Sequence, residues 1–135
     1  MENNHHQCPC QSAQSYADCC QPYHLNVAHA KTAEALMRSR YSAYTLGLID
    51  YLVQTTLPIQ QAKLDSEEMC EWSLNTQWDG LKIIKHRPAQ GSNQAVVIFE
   101  AYYLTAGGCQ THYEESLFVK INKRWYFKDP SIPLV

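Results

Sequence analysis

The chain has 135 residues and a mass of 15.5 kDa; 45% of its residues are apolar and 18% are charged. Its length favours one domain with a small appendage, and its composition is that of a globular protein. The formal net charge of −2 excludes a strongly basic nucleic-acid binder. Because no apolar run is long enough for a membrane span and the polar N-terminus lacks a signal-peptide pattern, we expect a cytoplasmic protein.

Four of the six cysteines lie in two close pairs near the N-terminus: Cys8, Cys10, Cys19 and Cys20. Disulfides between such near neighbours are strained, and cytosolic thiols are kept reduced. Two close thiolate pairs can instead complete the tetrahedral ligand set of a structural zinc site. On spacing alone zinc is favoured, with copper(I), an iron–sulfur cluster and a redox thiol pair as alternatives. The neighbouring His5 and His6 could substitute as ligands, although we assign them to a disordered tail.

Three helices are predicted after the cysteine segment. Thr32 is suited to cap the first helix and Gly47 to end it. Between them, residues at three- and four-residue intervals predict one buried helix face: Ala33, Leu36, Met37, Arg40, Tyr41 and Tyr44. A shorter helix is predicted from Leu48 to Thr55, and a third from Gln60 to Leu74.

The pattern changes to that of strands after the third helix. Four strands are predicted, over Trp78 to His86, Gln94 to Leu104, Gln110 to Ile121 and Arg124 to Lys128. A turn-rich break from Pro88 to Asn93 separates the first two, and Gly107-Gly108 and Asn122-Lys123 form the later turns. Three helices followed by four antiparallel strands indicate an α+β fold in which one curved sheet packs on the helices.

The cysteine segment resembles the SEC-C motif, a short zinc-binding module also found at the C-terminus of the SecA translocation ATPase. Its usual form reads like C-P-C-G-S-G, a short loop with lysines, and then C-H or C-C. Cys8-Pro9-Cys10, Ser12 and Cys19-Cys20 match it, whereas Gln11 and Ala13 replace the glycines and the lysines are absent. The resemblance implies one structural zinc ion on the four cysteines. By analogy with the ATPase, it also implies a protein partner in secretion or ribosome-associated machinery.

Most of the remaining chain resembles the YchJ family of bacterial SEC-C proteins, a family of unknown activity. The matching segments are Leu36-Met37-Arg38-Ser39-Arg40-Tyr41-Ser42-Ala43-Tyr44, Asp50-Tyr51-Leu52, Trp78-x-Gly80-Leu81, Phe99-x-Ala101, Glu114-x-Ser116-x-Phe118 and Trp125-Tyr126. The resemblance implies a nuclear transport factor 2-like fold, in which helices pack on a strongly bent sheet that encloses a conical pocket. We therefore expect a zinc knuckle with an N-terminal tail in residues 1–22 and this α+β domain in residues 23–135.

Strand alternation directs one set of side chains toward the helices: Phe99, Ala101, Tyr103, Glu114, Ser116 and Phe118. Arg40 and Tyr41 lie on or near the helix face that would cover them. In the favoured interpretation the aromatic residues fill the core, and Arg38 or Arg40 pairs with a buried Glu114. In the alternative, a small ligand is bound or protonated in a pocket formed by Arg40, Tyr41, Phe99, Tyr103, Glu114 and Ser116.

These patterns favour a non-catalytic zinc protein that acts as a protein-interaction module. The rival function is a small-molecule binder or enzyme that uses the conical pocket. The outward side chains of Glu100, Tyr102 and Glu115 would allow the open sheet face to form a homodimer. We assign no role to the other histidines, which fall in a linker or near strand ends: His24, His29, His86 and His112.

Overall fold

The computed structural model describes residues 7–88 and 93–132, so His5, His6 and most of the predicted break after Pro88 lie outside the described residues. Within these ranges the order of elements is α1 (Gln21–His24), α2 (Ala33–Leu46), α3 (Ile49–Gln54), α4 (Pro58–Gln61), α5 (Ser66–Asn75), β1 (Gln77–Pro88), β2 (Gln94–Thr105), β3 (Gly108–Ile121) and β4 (Arg124–Lys128). The α+β prediction is confirmed. None of the described helices is both long and apolar enough to cross a membrane.

Helix α2 begins and ends where the sequence predicts. The Thr32 hydroxyl accepts a hydrogen bond from the Ala35 amide at 3.0 Å, which satisfies one free donor of the first turn. Gly47 ends the helix with a left-handed φ of 74°. The buried residues of the helix form a broad face that packs on the sheet and the cysteine loop: Ala33, Leu36, Met37, Ser39, Arg40, Tyr41, Ser42 and Ala43.

The four strands form one antiparallel sheet in the order β1-β2-β3-β4. In the β2–β3 pair, Phe99 lies opposite Glu114 and Ala101 lies opposite His112, so these side chains share the face that α2 covers. Strand β1 has two register shifts, and such bulges increase the local twist of a sheet. The sheet therefore curves around α2 and leaves a cavity between them.

The prediction of one helix from Gln60 to Leu74 is wrong. The chain forms α4 and α5, separated by residues 62–65. Asp65 caps α5, because its side chain accepts a hydrogen bond from the Glu68 amide at 3.1 Å. This Asp-x-x-Glu pattern is a start signal for a helix in the sequence, and it outweighs the weak apolar periodicity across the break.

Residues 8–20, which carry the four clustered cysteines and form the cysteine loop, are not an isolated appendage. Cys8, Cys10 and Cys20 are at most 3% exposed and belong to the same apolar cluster as Leu36 and Phe118. The loop lies against α2, so the side chains of α2 complete its interior. The boundary between residues 1–22 and 23–135 remains a prediction.

Candidate functional site

The sulfur atoms of the two cysteine pairs converge on one point. All four Sγ atoms lie within 4.8 Å of one another, and the Cys10–Cys19 and Cys19–Cys20 separations are 3.6 Å and 3.8 Å. All four cysteines are free thiols. A tetrahedral ion with metal–sulfur bonds of about 2.3 Å would separate its sulfur ligands by about 3.8 Å. These four residues could therefore hold a metal ion.

A tight turn brings the first pair to this point. The Cys8 amide donates to the Gln14 carbonyl at 2.9 Å, and the Gln11 amide donates to the Cys8 carbonyl at 3.0 Å. Gln11 and Ala13 have left-handed φ values of 65° and 73°. These are the two positions where the SEC-C motif usually has glycine, so the backbone keeps the glycine conformation although both residues carry a Cβ.

Three side chains outside the cysteine set support the sulfur atoms. The buried Ser42 hydroxyl lies 3.5 Å from the Sγ atoms of both Cys8 and Cys20, and the Ser12 hydroxyl lies 3.2 Å from the Cys19 sulfur. Arg38 Nη1 donates to the Cys10 carbonyl at 2.9 Å and lies 4.0 Å from its sulfur. Such contacts orient ligands, and the guanidinium offsets the negative charge of a thiolate cluster.

Burial and hydrogen bonds among the sulfur atoms shift the pKa values of Cys10, Cys19 and Cys20. Hydrogen bonds from Cys20 and Cys8 lower the pKa of Cys10 and so favour its thiolate form. Burial raises the pKa of Cys19 to about 11, and the negative charge of Cys10 adds to this effect. The pKa of Cys20 is raised because its thiol donates to Cys10. Since metal ligation requires thiolates, binding of an ion must release protons from this cluster.

The curved sheet and α2 enclose a second feature, a cavity of about 120 Å³. Five of the six predicted pocket residues line it: Arg40, Tyr41, Phe99, Glu114 and Ser116. The sixth, Tyr103, is absent from the lining and packs edge-on against Trp78, with ring centroids 6.1 Å apart. Other aromatic residues complete the wall, which makes the cavity mostly apolar: Tyr44, Trp72, Trp78, Phe118 and Phe127.

Glu114 does not pair with an arginine, so that prediction is wrong. Its carboxylate accepts hydrogen bonds from Ser116 Oγ at 2.5 Å and from His112 Nε2 at 2.8 Å. The side chain of Glu114 is 32% exposed, so water and two donors stabilise its charge without a buried cation. Within residues 7–88 and 93–132, Arg38 pairs with Glu34 instead, and no carboxylate forms an ion pair with Arg40.

Arg40 extends from α2 to the end of α3. Its Nη1 atom donates to the Leu52 carbonyl at 2.9 Å and to the Thr55 hydroxyl at 2.7 Å. The guanidinium carbon lies 4.5 Å from the centre of the Phe127 ring. The last turn of a helix attracts a cation because its carbonyls carry partial negative charge. The Leu52 carbonyl and the Thr55 hydroxyl thus take the role that we expected of Glu114.

Two family models match the chain. The model of the YchJ middle nuclear transport factor 2-like domain covers residues 32–130, and the model of the SEC-C motif covers residues 7–22. The chain belongs to the YchJ family. The curved sheet with its cavity is thus the middle domain of a YchJ protein, and the four cysteines belong to its SEC-C motif.

Curated relatives and solved structures agree with this YchJ assignment. A UPF0225 protein from Actinobacillus succinogenes is 50% identical over 94% of this chain and 82% of its own length, and one from Haemophilus influenzae is 49% identical over 94% and 78%. The crystal structure of a SEC-C motif containing protein from Psychrobacter arcticus matches with a TM-score of 0.89, 43% identity, and coverage of 93% of this chain and 82% of that one. The solution structure of a SEC-C motif containing protein from Rhodopseudomonas palustris matches with a TM-score of 0.83 and 35% identity. This match covers 90% of this chain and 94% of that one.

Three residues of this YchJ chain contact the two sites although no sequence pattern assigned them there. Ser42 supports the cysteines, and it was detectable because it lies one helical turn after Arg38 on a polar strip of α2. His24 joins the cysteine loop to α2, since Tyr16 donates to its Nδ1 at 2.6 Å and its Nε2 donates to the Ser39 carbonyl at 2.8 Å. His112 faces the cavity because it is two residues before Glu114 on the same strand face.

Proposed function

We propose that Cys8, Cys10, Cys19 and Cys20 hold one structural zinc ion. The convergence of four thiols is the observation that carries this proposal, together with separations that suit Zn–S bonds of about 2.3 Å. A catalytic zinc site keeps one position open for water or substrate, whereas four protein thiolates fill the tetrahedron. The ligand set therefore supports a structural role in a compartment that keeps thiols reduced, for which we propose the cytoplasm.

We further propose that the protein is a non-catalytic interaction module. Zinc binding by the cysteine loop would hold its binding surface in place. Helix α1 directly follows Cys20, and the chain after it exposes two apolar side chains, Leu25 at 64% and Val27 at 77%. The Val27 amide donates to the Pro22 carbonyl at 2.9 Å, which holds this segment against α1. Exposed apolar side chains on an ordered segment suit a protein partner. The analogy with the translocation ATPase points to secretion or ribosome-associated machinery.

Native mass spectrometry of protein purified without chelator tests the metal proposal. We expect one zinc ion per chain, and we expect Cys19→Ser to remove it. Cys109→Ser is the matched control, because Cys109 is an exposed thiol outside the cluster. Zinc-free wild-type protein, or iron or copper in its place, would refute the zinc proposal. Equal zinc loss in both variants would refute the assigned ligand set.

Crosslinking in cells tests the interaction role. A Leu25→Ser, Val27→Ser double variant should keep its zinc and lose a crosslinked partner. Ile59→Ser is the control, because Ile59 is 63% exposed on α4, outside this segment. If the double variant keeps every crosslink of the wild-type protein, the proposed surface is wrong.

A second candidate function, small-molecule binding, is favoured by the cavity. Its wall is mostly apolar, and it carries a cation, Arg40, and an anion, Glu114, that do not pair with each other. Ligand sites typically combine an apolar wall with a few polar groups that fix orientation. Retention of a small molecule by the untreated protein, lost after the cavity is filled by Ala101→Leu, would support this function.

A further inference from the structure

We propose that the cavity binds a monocyclic organic acid, whose carboxylate is held by Arg40 and whose ring lies among the aromatic residues of the wall. This inference rests on the second candidate function above and names its ligand class. It is independent of the zinc site.

Arg40 is suited to bind an anion in the cavity. Its side chain lines the cavity and is 7% exposed, and its only described acceptors are a carbonyl and two threonine hydroxyls. All of these contacts are made by Nη1, so within the described ranges Nε and Nη2 donate no hydrogen bond. A buried charge without a counter-charge is costly, and a guanidinium with free donors is suited to bind a carboxylate through two hydrogen bonds. The cavity thus offers an anion a preformed partner.

The cavity is small enough to limit the ligand to one ring. Its volume of about 120 Å³ is slightly below the roughly 150 Å³ of an engineered apolar cavity that binds benzene. Phe99, Phe118 and Tyr41 supply apolar and aromatic surface around it. Such a space holds a single ring whose substituent extends toward the partly exposed Glu114, and it excludes a nucleotide or a fused polycyclic compound. An apolar wall also favours a ring over a sugar or a polar chain.

Glu114 lines the same cavity. His112 and Ser116 each donate to one of its oxygens, which leaves further acceptor capacity on an ionised carboxylate. Its negative charge would repel a second anionic group and would accept a hydrogen bond from a hydroxyl or amine. We therefore expect a ligand with one carboxylate and a donor group on the ring, and we expect discrimination against dicarboxylates.

Trp78 places a buried donor in the same wall. The indole Nε1 of Trp78 is the buried side-chain polar atom without a hydrogen-bond partner within residues 7–88 and 93–132. A buried donor without an acceptor is destabilising, and such groups in native proteins commonly indicate a partner that binds there. Trp78 also contacts Tyr41, with ring centroids 5.8 Å apart, and both residues line the cavity.

Titration calorimetry of the zinc-containing wild-type protein with five probes tests the proposal. The probes are 4-hydroxybenzoate, benzoate, benzamide, benzylamine and terephthalate. We expect 4-hydroxybenzoate to bind in the millimolar range or tighter, benzoate more weakly, and the neutral, cationic and dianionic probes at least tenfold more weakly than 4-hydroxybenzoate. Arg40→Met should weaken 4-hydroxybenzoate binding by roughly ten- to hundredfold, because it removes a charged hydrogen-bond partner. Arg87→Met, which alters an exposed arginine of β1, should leave the affinity unchanged.

Two further variants keep the test decisive if Arg40→Met does not fold. Ala101→Leu fills the cavity without altering a charge and should abolish binding. Glu114→Gln should let terephthalate bind at least tenfold more tightly. Equal binding of benzylamine and benzoate would overturn the ligand class while leaving small-molecule binding in place. If none of the five probes binds the folded wild-type protein, the ligand class is wrong. The second candidate function is refuted separately, if the untreated protein retains no small molecule.

Discussion

The left-handed residue Ala13 allows a quantitative test of the turn that positions the cysteines. Its φ is 73°, a conformation that costs an L-residue with a Cβ roughly 1–2 kcal/mol and costs glycine almost nothing. Ala13→Gly removes that strain, and the added flexibility of the unfolded chain offsets about 0.5–1 kcal/mol of the gain. We expect a net increase of about 0.5–1 kcal/mol in the free energy of unfolding, or a rise in Tm of about 2–5 °C. Ala13 is the better site than Gln11, because the Gln11 side chain lies beside Gly80, where its Oε1 would be 3.3 Å from an added Cβ.

Thermal unfolding of the zinc-containing protein, followed by circular dichroism, measures this effect. Ala17→Gly is the matched control: Ala17 is also exposed in the cysteine loop, but it lies in the 3-10 helix Tyr16–Asp18 and lacks a positive φ. Because glycine is only more flexible there, Ala17→Gly should lower the free energy of unfolding by about 0.5–1 kcal/mol. A fall in Tm for Ala13→Gly as large as that for Ala17→Gly would refute the strained turn.

Three further predictions follow from single side chains. Ser42→Ala should weaken zinc binding by roughly tenfold, because the hydroxyl contacts a sulfur atom of each cysteine pair. Competition with a chromogenic chelator measures the affinity, and an unchanged affinity would show that the hydroxyl does not support zinc binding. Burial lowers the pKa of His24, so the unfolded chain binds more protons below about pH 6.5 and stability falls as the pH drops. His24→Gln should therefore lose less free energy of unfolding between pH 7 and pH 5.5 than the wild-type protein in urea titrations, and an equal loss would contradict this assignment. Gln60→Leu should cost about 3 kcal/mol in the same assay, because the buried amide makes three hydrogen bonds to the backbone of Asp129 and Ile132. Gln54→Leu, at an exposed glutamine, should cost much less.

Local signals in the sequence were sufficient for α2 and for the four strands. The cap at Thr32, the glycine at 47 and the apolar period between them are contained in one segment, so α2 follows from the sequence alone. Strand alternation likewise placed Glu114 and Ser116 on the face that lines the cavity. Cysteine spacing indicated which four thiols converge, because close pairs need only one turn to meet.

The depth of a side chain in the cavity and the identity of its hydrogen-bond partner could not be predicted from such local patterns. Alternation gives the face of Glu114 but not its distance from the cavity mouth, where solvent and His112 stabilise its charge. The partner of Arg40 depends on where α3 ends in space, which no local pattern encodes. The burial of the cysteine loop depends equally on a surface of α2 that is distant in sequence from Cys8.

X-ray absorption at the zinc edge of the purified wild-type protein is the most direct test of the metal centre. We predict a single shell of four sulfur ligands at about 2.3 Å, without nitrogen or oxygen in the first coordination sphere. The Cys19→Ser protein should show no such shell. A wild-type spectrum with histidine or water ligands, or with fewer than four sulfurs, would contradict the closed structural site formed by Cys8, Cys10, Cys19 and Cys20.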